Sequence, residues 1–393
     1  MADIDRWLLP EGIEEVFPEK ARQLEAMRRA LLDLFDSWGY DLVMPPMVEF
    51  LDALKTGLGQ DLDLQTFKLT DQLTGRLMGL RADMTPQVAR IESHYIKREA
   101  PVRLCYLGPV LRTRPGVFGG SREPLQMGAE LFGHVGVQSD VEIVHLLITA
   151  LELIGIPAPN LGIGHVGIYR ELVNESQLEA DTEEVLFDAL RRKSKPDVQA
   201  FLTASKLGDD YKRMFAGLID LNGEVAEFGV AQAALSVAGP KVQAALQNLE
   251  QVIALAAKTL PGLKLYYDLA DLRGYRYHTG MVFSAYVAGY GEAIANGGRY
   301  DAIGEAFGRA RPATGFSADL RILLRMLVDK DVSGIGILAP EDGDSALIEK
   351  IQSLRGSGER VIRALPGVAD AIMTCCCDRK LEKQDNCWQV VPL

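Results

Sequence analysis

Residues 21–38, ARQLEAMRRALLDLFDSW, space their apolar side chains as one face of a helix. Leu24, Met27, Leu31, Leu34, Phe35 and Trp38 form the stripe, and Gly39 ends it. YDLVMPPMVEF then predicts a strand interrupted by Pro45-Pro46, and proline inside a strand belongs at an edge or an interface. FKLTDQLTGRLMGLRADMTP and VRLCYLGPVLRTRP read as antiparallel strands joined by turns, and LQMGAELFG as another short strand. Residues 140–155, DVEIVHLLITALELIG, predict a helix that covers them, and LGIGHVGIY a further apolar strand.

From 171 to 258 the texture changes to Ala, Leu, Glu, Gln and Lys, as in EEVLFDALRRKS and KVQAALQNLEQVIALAAKTL, which predicts an all-helical insertion. Alternating aromatic strands return in LKLYYDLADL, YHTGMVFSAYVAGY and EAIANGGRYD. TGFSADLRILLRML reads as the opening of a helix, with Ser317 as its N-cap and Leu320, Leu323, Leu324 and Leu327 on one stripe. GIGILAP at 334–340 starts a short β-α-β-like tail with one helix near 343–355. The order is that of an α+β protein: an antiparallel sheet core flanked by helices, interrupted and then resumed. The expected domains are a first core part at 1–170, the insertion at 171–258, a second core part at 259–330 and a small α/β tail at 331–393. A doubly wound nucleotide-binding fold is excluded, because neither a GxGxxG nor a Walker loop stands at a strand–helix turn.

Composition narrows the class. The chain has 393 residues, 48% of them hydrophobic and 24% charged, as in an ordinary globular protein. A net charge of −12 argues against a dedicated nucleic-acid binder, whose affinity comes from neutralising phosphates. The start MADIDRWLLPEG lacks a basic segment and a long apolar run, so no signal peptide is expected. No window reaches the roughly 18 apolar residues of a membrane helix. Five cysteines, an odd number, point to a reducing cytoplasm. Cys375, Cys376 and Cys377 are consecutive, a poor arrangement for one metal ion, and AIMTCCC reads instead as an apolar strand with buried thiols.

Candidate chemistry lies in four polar groups on otherwise apolar strands. They are Arg81, Asp83 and Thr85; Arg112; Arg122, Gln126 and Glu130; and Arg273 with Tyr275, Tyr277 and His278. Gln126, Gly128 and Glu130 alternate and so project from one sheet face. Charges of both signs there suit a zwitterionic small ligand, carboxylate to arginine and ammonium to acid. An ion-pair network on a solvated sheet fits the same spacing, and the residues alone leave both open.

These segments resemble the class II aminoacyl-tRNA synthetases, and specifically the histidyl-tRNA synthetase core, over residues 10–330. GYDLVMPPMVEF is similar to the first class II motif, a dimer interface, and GPVLRTRPGVFGGSREPLQMGAELFG to the second. LRGYRYHTGMVF resembles the histidine-specific signature Arg-Gly-Leu-Asp-Tyr-Tyr, and NGGRYD with TGFSADLRIL the last strand and third motif. The resemblance implies that Asp83 and Thr85 hold an amino-acid ammonium, that Arg112 is the second-motif arginine, and that Gln126 and Glu130 bind histidine, Glu130 accepting from the imidazole. It makes Arg273 the arginine particular to the histidine enzymes and Tyr277 the first signature tyrosine, while His278 replaces the second.

The departures gather at the nucleotide end. Arg114 and Pro115 stand where the second motif has an acid and an arginine, and Arg276 replaces the signature aspartate. In the third motif, Gly-Leu-Glu-Arg becomes Asp319-Leu320-Arg321-Ile322, so Ile322 stands in place of the arginine that grips ATP phosphates and Asp319 adds a negative charge. Arg321 is turned about 100° from that direction. The tail resembles only the opening β-α unit of the synthetases' anticodon-binding domain. A kept amino-acid pocket with eroded ATP and anticodon parts resembles the ATP phosphoribosyltransferase regulatory subunits of histidine biosynthesis. That resemblance implies a non-catalytic, cytoplasmic protein with no cofactor or metal, joined to a short-form catalytic subunit, dimeric through the first motif, binding free histidine and not tRNA. The alternatives are an active histidyl-tRNA synthetase, or a synthetase-like enzyme that activates an amino acid.

Overall fold

The computed structural model describes residues 7–55, 64–115, 120–156, 159–327, 336–367 and 377–393. The chain forms two compact units, one of residues up to Val16 with Gln23–Met326, the other of Phe17–Arg22 with Leu327–Leu393.

Helix α1 (Pro18–Ser37), which belongs to the larger unit from Gln23 on, buries Met27, Leu31 and Phe35 of the predicted stripe. Strands β1 (Asp41–Leu42) and β2 (Val48–Phe50) flank the two prolines, followed by helix α2 (Leu51–Lys55) and the hairpin β3 (Lys68–Thr70) and β4 (Leu77–Leu80). Helix α3 (Thr85–Arg90) runs on into a π-helical turn, Ile91–Ile96, and then come β5 (Val102–Pro109), β6 (Leu125–Phe132), helix α4 (Val137–Leu153) and β7 (Asn160–His165). Helices α5 (Val166–Ser176), α6 (Ala180–Arg191), α7 (Lys195–Ala204) and α8 (Asp209–Gly217) follow, then β8 (Asn222–Glu224), α9 (Phe228–Ala234) and α10 (Pro240–Thr259). The chain returns through β9 (Lys264–Asp268), β10 (Met281–Tyr286), β11 (Ala295–Arg299), β12 (Ala313–Asp319) and helix α11 (Leu320–Met326).

Nine of these strands make one sheet in the order β1-β5-β6-β12-β11-β10-β7-β9-β8, while β2, β4 and β3 form a smaller one. The β1–β5 and β7–β9 pairs are parallel and the rest antiparallel. Helix α4 packs on β6 and β12, and α10 on α4, α5 and β7. Between sheet and helix α3 lies an apolar core that includes Met84, Val88, Leu104, Tyr106, Phe132 and Tyr300. A buried ion pair, Arg299 to Asp140 at 2.9 Å, ties β11 to α4. This is an α+β fold of helices on a largely antiparallel sheet.

Five local expectations are corrected. The 171–258 insertion is not all-helical, since β8 lies within it and pairs with β9. Leu272–His278 is a loop between β9 and β10 rather than part of a strand. LRADMTP is not a strand: the Asp83 carboxylate accepts from Thr85 N at 2.9 Å, and Pro86, which has no N–H to lose, opens helix α3. LGIGHVGIY is a strand only to His165, whose Nδ1 then caps α5 by accepting from Gly167 N at 3.2 Å. Ser317 is not an N-cap. It lies inside β12, paired on both sides to β6 and β11, and the cap role falls to Asp319, which accepts from Arg321 N at 3.0 Å.

In the smaller unit, β14 (Val361–Arg363), β13 (Ile337–Ala339), β15 (Arg379–Gln384) and β16 (Cys387–Pro392) form a sheet in that order. Helix α12 (Ser345–Gly356) buries Leu347 and Ile351 in that unit's core. Asp344 caps the helix through Ala346 N at 2.9 Å and also accepts from Trp388 Nε1 at 2.9 Å. Of the predicted AIMTCCC strand, residues 371–376, with Cys375 and Cys376, lie outside the described residues; Cys377 is buried.

Candidate functional site

Two cavities, both in the larger unit, open on one face of the nine-stranded sheet. The first, about 660 Å³, is lined by Asp83, Thr85, Glu130, Arg273, Tyr277 and His278, among others. The second, about 590 Å³, is lined by Arg112, Gln126, Asp319 and Ile322, and shares Arg273 and His278 with the first. The strand, the helix start and the loop that carry these residues are far apart in sequence, and the sheet brings them together. Arg114 and Pro115 are exposed and line neither cavity.

One hydrogen-bonded chain organises the first cavity. Gln126 Nε2 donates to Asp83 Oδ1 at 2.9 Å, while Gln126 Oε1 accepts from Met84 N at 3.0 Å, so the amide fixes the acidic turn. The Thr85 and Tyr106 hydroxyls are 2.8 Å apart, and Tyr106 donates to Glu130 Oε1 at 2.9 Å. The Tyr300 hydroxyl donates to the other oxygen, Glu130 Oε2. Burial raises the Glu130 pKa to about 8, against the pull of its two tyrosine donors, and the nearby Asp83 charge adds to the rise. Gly315, opposite Glu130 on β12, leaves room for that carboxylate, since a Cβ there would overlap Oε2. Burial also lowers the His278 pKa to about 4, so its ring is neutral near pH 7 and has Nδ1 3.3 Å from Arg299 O. The Tyr277 hydroxyl is buried beside Tyr300, ring centroids 4.9 Å apart.

The second cavity has a different charge balance. Among its lining residues two arginines, Arg112 and Arg273, stand against three carboxylates, Asp271, Glu292 and Asp319. Arg273 is already engaged, since Nε and Nη2 donate to Asp271 at 2.8 and 2.6 Å and Nη2 to the Tyr286 hydroxyl at 2.6 Å. Arg112 donates through Nε to Ala82 O at 3.2 Å. Asp319 is held by Leu125 N and Arg321 N, each at 3.0 Å, and burial raises its pKa. Ile322 faces the cavity, whereas Arg321 turns away to Glu123 Oε2 at 3.1 Å and Glu14 O at 3.1 Å. A polyphosphate here would meet more negative than positive side chains.

Several contributors escape sequence reading. Tyr106 and Tyr300 hold Glu130 from strand positions that read as plain core, and Asp271 fixes Arg273. Glu184, Phe187, Asp188 and Arg191 of α6 also line the first cavity, where Glu184 accepts from Arg276 Nη2 at 2.9 Å. The only available signal was the helical texture of the insertion, which says nothing about which face meets the sheet. Among the described residues no group of three or more His, Cys, Asp or Glu side chains could hold a metal ion, and no helix is long and apolar enough to cross a membrane.

This sheet, with its paired cavities, is that of a class II, histidyl-tRNA synthetase-like protein. The Histidyl-tRNA synthetase family profile matches residues 12–323. A histidyl-tRNA synthetase structure from Nostoc sp. PCC 7120 superposes with a TM-score of 0.79 over 98% of this chain and 97% of that one, at 17% identity, a likeness of fold alone. A structure described as an ATP phosphoribosyltransferase regulatory subunit/histidyl-tRNA synthetase from Bacillus halodurans superposes at 0.83 with 27% identity, covering 93% and 95% of the two chains. Residues 334–391 match the ATP phosphoribosyltransferase subunit HisZ C-terminal domain. The ATP phosphoribosyltransferase regulatory subunit of Thioalkalivibrio sulfidiphilus is 50% identical over 395 residues, covering 100% of both chains. The chain belongs to the ATP phosphoribosyltransferase regulatory subunit family.

Proposed function

We propose that this protein is a non-catalytic regulator that binds free histidine in the first cavity. In this reading it assembles in the cytoplasm with a short-form catalytic subunit of ATP phosphoribosyltransferase, is needed for that subunit's activity, and transmits feedback inhibition by histidine. Asp83 and Thr85, with Gln126 bonded to Asp83 from the second cavity, take the ammonium, Arg112 reaches the carboxylate from the second cavity, and Glu130 with Tyr277 and His278 takes the imidazole end. Arg273 orders the boundary between the cavities. The carrying observation is the contrast between neighbours: a satisfied, buried polar network in one cavity, and an excess of carboxylates with Ile322 in the other. A missing phosphate contact in such a site costs about 2–4 kcal/mol of transition-state stabilisation, which speaks against aminoacylation as the role of this chain. Neither tRNA nor a cofactor enters this scheme. The chain pairs as a homodimer through the segment around Pro45-Pro46.

Linkage requires that histidine and the catalytic partner's substrates oppose each other equally. Titration calorimetry with histidine, on the chain and on its complex with a short-form catalytic subunit, tests the reading. Binding with inhibition of the complex is expected, and silence in both overturns it. Histidine-dependent pyrophosphate exchange above background would establish a synthetase, or another amino-acid-activating enzyme, instead.

A further inference from the structure

The loop Leu272–His278, between β9 and β10, lines the first cavity along its whole length, with Arg273, Tyr277 and His278 among its side chains there. Consecutive tight turns shape it. Tyr275 N donates to Leu272 O at 3.1 Å, and Tyr277 N and His278 N both donate to Gly274 O at 2.7 Å. Gly274 has a φ of 63°, and a Cβ at that position would come within 2.5 Å of the His278 ring. Turns this tight leave backbone carbonyls to be satisfied from outside the loop.

A single guanidinium takes two of them. Arg170 Nη2 donates to Tyr275 O at 2.6 Å and to His278 O at 2.8 Å. The same group lies over the Tyr275 ring, 4.9 Å from its centroid. That ring is packed between Tyr169 and Phe187, each at 5.2 Å, and its hydroxyl donates to Glu183 Oε1 at 2.8 Å. Tyr169 and Arg170 belong to α5, Glu183 and Phe187 to α6. The ligand loop is therefore held from the helices that follow β7, and the carbonyls that Arg170 holds are those of His278 and of Tyr275, two residues before Tyr277.

We propose that Arg170 is a positioning residue for the first cavity: by gripping the Tyr275 and His278 carbonyls it sets the direction of the Tyr277 and His278 side chains, and it makes α5 and α6 the support on which ligand affinity depends. This rests on the reading of that cavity as an amino-acid site. Arg170 touches no ligand in this scheme. It acts by keeping the loop in its binding-competent arrangement, so its loss lowers apparent affinity by the fraction of molecules that leave that arrangement. By reciprocity, a ligand that needs the loop in place must steady α6 in turn.

The test compares the full chain with Arg170→Met, which keeps the stem and removes the donors, and Arg170→Lys, which keeps donors on a different head. Histidine affinity is read by calorimetry, amide exchange over 272–278 and 180–191 by mass spectrometry, and folding by the thermal midpoint. Arg170→Met is expected to bind histidine about 10–100-fold more weakly, with faster exchange in the loop even without ligand and a folded thermal transition. Arg170→Lys recovers part of both. In the native chain histidine slows exchange in 180–191, and in Arg170→Met this protection is lost. Native affinity together with native loop exchange in Arg170→Met overturns the proposal. Should that variant fail to fold, Arg170→Gln, whose shorter side chain cannot reach both carbonyls, decides: native loop exchange and native affinity there overturn it too. If neither the native chain nor its complex binds histidine, the functional reading falls, and ligand-free loop exchange still decides the role of Arg170.

Discussion

Glu130→Gln gives the sharpest test of the buried network. The amide has the shape of the carboxyl group, its oxygen can accept from Tyr106, and its nitrogen can donate to Tyr300. What it removes is a titration. Burial raises the Glu130 pKa from 4.5 to about 8, so between these values the folded chain holds a proton that the unfolded chain has released. The stabilisation is complete below the unfolded value and is lost as pH rises through the folded one. Each unit in that window is worth up to about 1.4 kcal/mol. From about pH 5 to pH 7.5 the native protein should therefore lose about 3 kcal/mol relative to Glu130→Gln. Urea unfolding of both proteins across this range, at constant ionic strength, measures the difference, and groups common to both cancel. Parallel stability profiles would refute the claim that this carboxyl is kept neutral by its surroundings.

Gly315→Ala puts a Cβ into Glu130 Oε2 and should cost about 1–3 kcal/mol by overpacking, with histidine binding lost; an unchanged calorimetric titration counts against the site. Arg299→Met leaves Asp140 buried without its cation and should destabilise the fold by about 3–5 kcal/mol in urea unfolding, whereas a change below about 1 kcal/mol would show that the pair is dispensable. Met44, 80% exposed between β1 and β2, is expected in the contact of the proposed homodimer: the native chain should sediment as a dimer and Met44→Asp, at the same concentration, as a monomer.

Legibility followed physical range. The stripe of α1 needs only its own 3.6-residue period, and its buried Met27, Leu31 and Phe35 lie on it. The start of α11 was harder. Ala313–Asp319 is a central strand, small residues around Phe316, whose identity comes from β6 and β11 on either side, and nothing local separates it from the leucine stripe that follows. The break at His165 likewise depends on a ring nitrogen reaching Gly167 N. Within the site, alternation placed Gln126 and Glu130 on one face. No local pattern connects Glu130 with Tyr300, 170 positions away, or Tyr275 with Glu183. Ile322 and Arg321 were separable from helix geometry alone, because a 100° step between neighbours is fixed by the backbone.

Strand β8 lies in the middle of the otherwise helical stretch between 171 and 258, and it is the last strand of the large sheet, antiparallel to β9. The inserted segment is thus stitched into the sheet as well as resting on it. Excising it as a cassette would bare the Tyr266–Asp268 edge of β9, a row of unpaired peptide groups that invites another chain to add itself there. Loop-for-insert replacement in this protein is therefore expected to end in precipitation rather than in a smaller soluble core, and any shortened relative must close that border by some other means.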